Sequence, residues 1–286
     1  MTTPDRRSWM AGAVAAGLSF GAGPQTRARP QRIVSLNPCL DAILVLVADR
    51  SSLTALSHYS RDRYGSTIAG VARTLPFTYG TAEEVVALRP DLVLIGRPAP
   101  RTTIRTLERL GIRTVQYAVP ETVADSLLQV REIAALVGRP ERGEAVVRRI
   151  ENALAAAAPA PGSRRISALV YMPGGFASGP GTLMHELMTR LGFDNVVARY
   201  GLRGSASVPL ERLIADPPEL LLAGEPSPGA ASRAERVMAH PALSAVADRM
   251  QREVFPERLL FCGGPVLIQT ASALARARES VLARPA

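Results

Sequence analysis

Along the chain, short apolar runs alternate with stretches in which apolar positions recur every three or four residues. The first clear run, Arg32-Ile33-Val34-Ser35-Leu36, reads as a strand. An apolar helix is predicted over Asp41–Ala48 and a second strand over Leu53–Ser57. Glu83–Leu88 has helical spacing, Pro90 stops it, and residues 91–96 form an apolar strand that ends at Gly96. A helix over Thr102–Leu110 closes at Gly111, and a strand follows over Thr114–Tyr117. From Thr122 to Ala158 the pattern is helical, broken at Gly138-Arg139-Pro140. The strand–helix rhythm resumes with Ile166–Tyr171 and a helix starting near Thr182. Alternating strands and helices predict largely parallel sheets. The expected fold is therefore α/β: two Rossmann-like lobes joined by a long connecting helix. The expected division is residues 30–121, 122–160 and 161–286, preceded by a leader over 1–29.

The chain contains an echo of itself. Residues 83–96 read EEVVALRPDLVLIG and residues 211–224 read ERLIADPPELLLAG. Both run glutamate, apolar helix, proline, acid, apolar strand, glycine. Helix–proline–strand units are common in α/β proteins, but the glutamate, proline and glycine fall in register here, which points to a structural duplication.

Composition narrows the class. Apolar residues make up 47% of the 286 residues and charged residues 21%, which excludes a disordered chain. All 34 basic residues are arginine, against 25 acidic residues, for a net charge of +9. The arginines are scattered along the helices rather than gathered in a stripe, so no nucleic-acid partner is expected. Arg6-Arg7 followed by the uncharged apolar run Ala11–Ala22 has the layout of an export leader, with the paired arginines of a twin-arginine signal or a basic Sec signal. That reading places the mature chain in the periplasm.

Catalytic patterns are missing. The sequence has no GxSxG elbow, no HExxH and no Walker loop, which needs a lysine the chain does not contain. His58, His185 and His240 are isolated in sequence, so neither a bare metal site nor a resident cofactor is expected. Cys39 and Cys262 are the only thiols. In an oxidising compartment such a pair forms a disulfide or remains as two thiols at the same end of their sheets.

The doubled Glu-to-Gly segment, the opening RIVSL and the long connecting helical stretch resemble the periplasmic binding proteins of iron-siderophore, haem and cobalamin ABC importers. The resemblance implies a rigid connector and a ligand cleft between the lobes. It implies no catalysis. Its partners would be a small-molecule metal chelate and an ABC permease dimer with its ATPase, with membrane contact only through the permease and the receptor itself a monomer. Glu83 and Glu211 take the places of the two permease-docking glutamates. Tyr59, Phe77 and Phe176 match the aromatic positions of the cobalamin-binding members, whereas a fourth expected aromatic is Ser205 here. Arg61 and Arg97, in loops just past strands, would suit an anionic chelate. Tyr171 is a further ligand candidate, and Tyr59 or Tyr79 an axial ligand if the cargo is haem. The expected cargo is a ferric siderophore, then a corrinoid, then haem.

Two alternatives come from other classes. One is an exported sensor module that binds the same ligand. The other is an exported α/β enzyme, for which Ser60, His58 and Asp62 are the nearest candidate side chains.

Overall fold

The computed structural model describes residues 29–284, except 98, 100, 173–174, 225–235, 237–238, 245 and 247. The predicted leader therefore lies almost entirely outside the described residues. The N-terminal lobe runs β1 (Ile33–Ser35), α1 (Pro38–Val47), β2 (Leu53–Ser57), α2 (Ala69–Ala72), β3 (Phe77–Thr78), α3 (Ala82–Ala87), β4 (Leu92–Gly96), α4 (Arg101–Arg109) and β5 (Thr114–Tyr117). Its five strands are all parallel, in the order β3-β2-β1-β4-β5.

Local chemistry sets the first helix. The Asn37 side chain accepts hydrogen bonds from the N–H groups of Cys39 (2.9 Å) and Leu40 (3.2 Å), and Pro38 supplies a preset φ at the first helical position. Leu40, Ile43, Leu44 and Val47 then bury one face. Gly96 is glycine for a steric reason: a Cβ there would fall 2.2 Å from Asn37 Nδ2. The glycine that ends the first copy of the echo thus makes room for the cap of α1.

The connector is a pair of helices separated at Gly138-Arg139-Pro140. α5 (Val123–Leu136) ends at Gly138, whose φ of +71° reverses the chain, and α6 (Pro140–Ala157) begins two residues later. The helices pack closely, because a Cβ on Gly143 of α6 would lie 2.5 Å from Ala134 Cβ of α5. Arg131 and Glu144 pair across them at 2.8 Å. The break read in the sequence at Gly138-Arg139-Pro140 is where the chain turns: glycine at the reversal removes the Cβ penalty that would oppose it.

The C-terminal lobe runs β6 (Ile166–Tyr171), β7 (Phe176–Ser178), α7 (Leu183–Arg190), β8 (Phe193–Asn195), α8 (Val196–Arg199), β9 (Ser205–Ser207), α9 (Leu210–Ala215), β10 (Leu220–Ala223), α10 (Pro241–Ser244), β11 (Gln251–Val254) and α11 (Val266–Leu282). Strand order is β9-β7-β6-β10-β11, with β8 also on β6. The two copies of the sequence echo become α3–β4 and α9–β10. In each sheet the echo strand lies between the lobe's first strand and its last. One departure separates the lobes: β7 returns antiparallel to β6, where β2 is parallel to β1.

One core serves both lobes. Ile33, Leu92 and Leu94 of the N-terminal sheet, Val130 and Ile133 of α5, Val147 and Ile150 of α6, Leu267 and Leu274 of α11 and Ala168 and Leu220 of the C-terminal sheet belong to one contiguous buried cluster. Each fully buried aliphatic side chain contributes about 1.5–3 kcal/mol. The lobes are therefore fused through the connector rather than hung on a linker.

Candidate functional site

Both sheets aim the carboxyl ends of their parallel strands at the junction between the lobes, the place where open α/β sheets bind ligands. On the N-terminal side, a cavity of about 380 Å³ is formed by the residues that follow β1, β2, β3 and β4, among them Asn37, His58, Tyr59, Tyr79 and Gly96. On the C-terminal side, a second cavity of about 380 Å³ is lined by Met172, Ser178, Gly181, Ser205 and the segment Leu259–Cys262. A small cavity of about 30 Å³ touches both: it shares Asn37 and Gly96 with the first, and Val119, Pro120 and Phe261 with the second.

His58, Tyr59 and Tyr79 form an aromatic wall of the N-terminal cavity, and Phe77 continues the row of rings beyond it. The rings of His58 and Tyr59 lie 3.9 Å apart, His58 and Tyr79 lie 4.9 Å apart, and Phe77 meets Tyr79 edge-on at 5.5 Å. The Arg61 guanidinium sits 4.3 Å from the centre of the Phe77 ring. Tyr59 is 62% exposed and Tyr79 64%. Such exposure of contiguous rings is unfavourable in water and leaves flat apolar faces open.

Two carboxylates, one of them buried, hold that wall. Asp41 of α1 accepts hydrogen bonds from Ser57 N (2.9 Å) and Ser60 Oγ (2.6 Å), so it grips both ends of the turn that carries His58 and Tyr59. Burial outweighs these hydrogen bonds and pushes its pKa up to about 7. Glu84 supports the other half of the wall, accepting from Thr78 Oγ1 (2.6 Å) and Tyr79 N (2.7 Å). The Thr78 hydrogen bond holds its carboxyl below the usual range.

The sequence candidates fall into three groups. Tyr59 lines the N-terminal cavity, Phe77 and Arg61 extend the aromatic row beyond Tyr79, and Phe176, half-exposed at the start of β7, stands on the C-terminal lobe. Arg97 is exposed and lines the small central cavity. Tyr171 does not belong with them, and its assignment to the ligand set is corrected. It is 1% exposed and packs with Leu169 and Leu221 in the C-terminal lobe's second core. The predicted strand Ile166–Tyr171 is buried on both faces, and Tyr171 shares the inward-packed face of Leu169.

Glu83 and Glu211 are both exposed in the first turns of α3 and α9, where a negative charge is favoured by the helix terminus. Glu84, adjacent to Glu83, is committed to Thr78 and Tyr79. This separates the two neighbours by structure: one supports the fold and the other faces solvent.

Cys39 and Cys262 are joined by a disulfide, with Cα atoms 5.1 Å apart, between the first turn of α1 and the loop before α11. Three contributors escaped sequence reasoning. His58 looked isolated until β2 and β3 brought Tyr59 and Tyr79 against it. Phe261, 51% exposed, gave no signal beyond an aromatic next to a cysteine. Asp41 gave only an acid in an apolar helix, which is itself a usable sign of a buried hydrogen-bonded role. His185 has a structural place instead: Asn195 Nδ2 lies 3.1 Å from its Nδ1 and donates to Ser178 O at 2.7 Å, and burial lowers the His185 pKa. Among the described residues, no group of three or more His, Cys, Asp and Glu side chains is placed to hold a metal ion. No described helix is long and apolar enough to cross a membrane.

Comparison with known proteins places these features. The family described as Periplasmic binding protein matches residues 33–249. A cobalamin-binding protein of Halobacterium salinarum is 23% identical over 199 residues, covering 68% of this chain and 54% of that protein. The vitamin B12-binding protein of Salmonella typhimurium is 27% identical over 173 residues, covering 58% and 62% respectively. The match thus spans little more than half the length of these relatives. Among solved structures, a periplasmic haem-binding protein from Roseiflexus superposes with a TM-score of 0.72 at 20% identity, covering 88% of this chain and 98% of that one. The periplasmic vitamin B12-binding protein of Vibrio cholerae gives 0.67 at 16% identity, covering 90% and 99%. At these identities the superpositions establish the two-lobe fold alone.

Proposed function

This chain belongs to the periplasmic binding protein family, and from that premise we propose that it is an exported receptor that captures a bulky metal chelate between its lobes and passes it to an ABC permease. The observation that carries the reading is the exposed aromatic wall of His58, Tyr59, Phe77 and Tyr79 at the strand ends. Flat rings with few charges suit a large, poorly hydrated planar ligand. They favour a tetrapyrrole, corrinoid or haem, over the ferric siderophore that the sequence ranked first. Arg61 is engaged on Phe77, which leaves Arg97 as the exposed cleft arginine for an anionic chelate. The cobalamin-binding relatives support the same ligand class.

No reaction is assigned. His58, Ser60 and Asp62 do not form a nucleophile–base pair, because the Ser60 hydroxyl donates to buried Asp41 and the His58 ring packs tilted against Tyr59 and Tyr79. Delivery would use the exposed carboxylates of Glu83 and Glu211 as a two-point grip on permease arginines. The fused core makes wide hinge closure unfavourable, so capture is expected with small lobe motions. Isothermal titration of the purified protein with cobalamin, cobinamide, haemin and ferric hydroxamate tests the reading. Saturable binding of a tetrapyrrole supports it, and binding of none of the four refutes it.

A further inference from the structure

The loop between β11 and α11 leaves the C-terminal lobe and is clamped onto the N-terminal one. Cys262 is bonded to Cys39 in the first turn of α1. Gly264 N donates to Ser126 Oγ of α5 at 2.6 Å. A Cβ on Gly264, whose φ is +61°, would fall 2.9 Å from Ile43 of α1, and one on Gly263 would fall 2.6 Å from Ser126 Oγ. A covalent bond, a buried hydrogen bond and two glycines without room for side chains thus fix three consecutive residues. The residue immediately before this clamp is Phe261, and its ring is left 51% exposed. Phe261 lines the central cavity together with Asn37, Gly96 and Arg97, and it also lines the C-terminal cavity together with Ser178 and Ser205. It is therefore the aromatic shared by the two compartments.

We propose that Phe261 is a ligand-contacting residue of the cleft, and that the Cys39–Cys262 disulfide is the clasp that holds its ring between the two lobes. The inference rests on the reading that the cleft takes a large apolar chelate. An exposed phenylalanine on a free loop would have to be ordered by the ligand, whereas one anchored at its next residue is ordered beforehand, so less affinity is lost to immobilisation. The ring would face the ligand from the floor of the cleft while Tyr59 and Tyr79 face it from the N-terminal side. The clasp also makes the contact dependent on oxidation, since reduction frees the loop on the C-terminal side of the ring.

The test uses the full chain carrying Trp9→Phe and Phe261→Trp, which leaves one tryptophan, at position 261. Haemin, cyanocobalamin and ferric desferrioxamine are the probes, and each is first titrated against the wild type by calorimetry. A probe that binds the wild type is expected to quench the introduced tryptophan saturably, with the calorimetric midpoint. Phe261→Ala should weaken that probe on the order of tenfold at unchanged melting temperature, the equivalent of one aromatic contact. Phe261→Leu, which keeps apolar bulk without a flat face, should fall between. Cys39→Ser/Cys262→Ser, assayed well below its melting temperature, should bind more weakly than the wild type. Wild-type affinity in Phe261→Ala overturns the contact while leaving the receptor reading intact. Wild-type affinity in the serine pair overturns the clasp alone. If no probe binds the wild type, the receptor reading fails and this inference falls with it.

Discussion

Asp41 and Ser60 are joined by a 2.6 Å hydrogen bond that is fully buried beneath the turn bearing His58 and Tyr59. Because burial raises the Asp41 pKa to about 7, the folded protein holds a proton that the unfolded chain releases near the ordinary value of 3.8. Between those pH values the folded state binds more protons, so this group's contribution to stability is full below about pH 4 and is lost as pH rises toward 7. The span corresponds to about 4 kcal/mol at most. Asp41→Asn does not titrate, so the stability difference between variant and wild type should move in the variant's favour from pH 4 to pH 8. Urea midpoints at a series of pH values check this. Parallel curves for the two proteins would show that Asp41 is ionised in the fold.

The disulfide closes a loop of 223 residues. Constraining the unfolded chain by a link this long stabilises the fold by about 3–5 kcal/mol. The Cys39→Ser/Cys262→Ser variant should therefore lose that amount in denaturant unfolding, and dithiothreitol should lower the wild type toward the variant without affecting the variant. The loss should be cooperative across the molecule, because the bond joins two lobes that already share one core. A wild type indifferent to reductant would mean that the thiols are unpaired in solution.

Much of this architecture was legible in the chain. The strands Leu53–Ser57, Thr114–Tyr117 and Ile166–Tyr171 have the predicted bounds, and the echo at 83–96 and 211–224 maps onto equivalent helix–strand units. These features are local or periodic, so periodicity and breakers report them. The return of β7 along β6 is not of that kind. Its three residues follow Gly175, whose φ is +80°, and nothing in Phe176-Ala177-Ser178 sets the direction of pairing. The site was legible only in part for a related reason. Tyr59 gave a position past a strand and Phe77 one six residues before Glu83, but the contact of His58 with Tyr79 exists only once β3 lies beside β2. Tyr171 misled because a strand buried on both faces has no solvent-facing parity to read.

Glu83 and Glu84 should separate cleanly in experiment. Charge reversal as Glu83→Arg/Glu211→Arg touches no hydrogen bond among the described residues, so chelate affinity should stay at the wild-type value while melting temperature falls slightly, because a positive charge in the first turn opposes the helix dipole. Uptake through the proposed ABC permease, followed in reconstituted vesicles, should fall by tenfold or more, the loss of about 1.4 kcal/mol or more in docking. Glu84→Gln should behave in the opposite way. It weakens the acceptor for Thr78 and for the Tyr79 N–H, lowers the melting temperature and leaves docking unaffected. Full uptake by the doubly reversed protein would remove both glutamates from the docking surface.

Gly96 and Asn37 offer the sharpest test of how the echo's terminal glycine serves the site. A methyl group at 96 would lie 2.2 Å from Asn37 Nδ2 and 3.0 Å from its Cβ. Gly96→Ala must therefore push the Asn37 side chain off the N–H groups of Cys39 and Leu40, uncapping α1. The loss should be at least that of an N-cap, about 0.5–2 kcal/mol, with strain added. Asn37→Gly alone should lose only a few tenths, since glycine is tolerated at a cap. The double variant should then be more stable than Gly96→Ala, because the colliding side chain is gone. Chemical denaturation of the four proteins gives the coupling directly. Additive losses would mean that Gly96 is required by its own backbone rather than by the cap of the helix that carries Cys39 and Asp41.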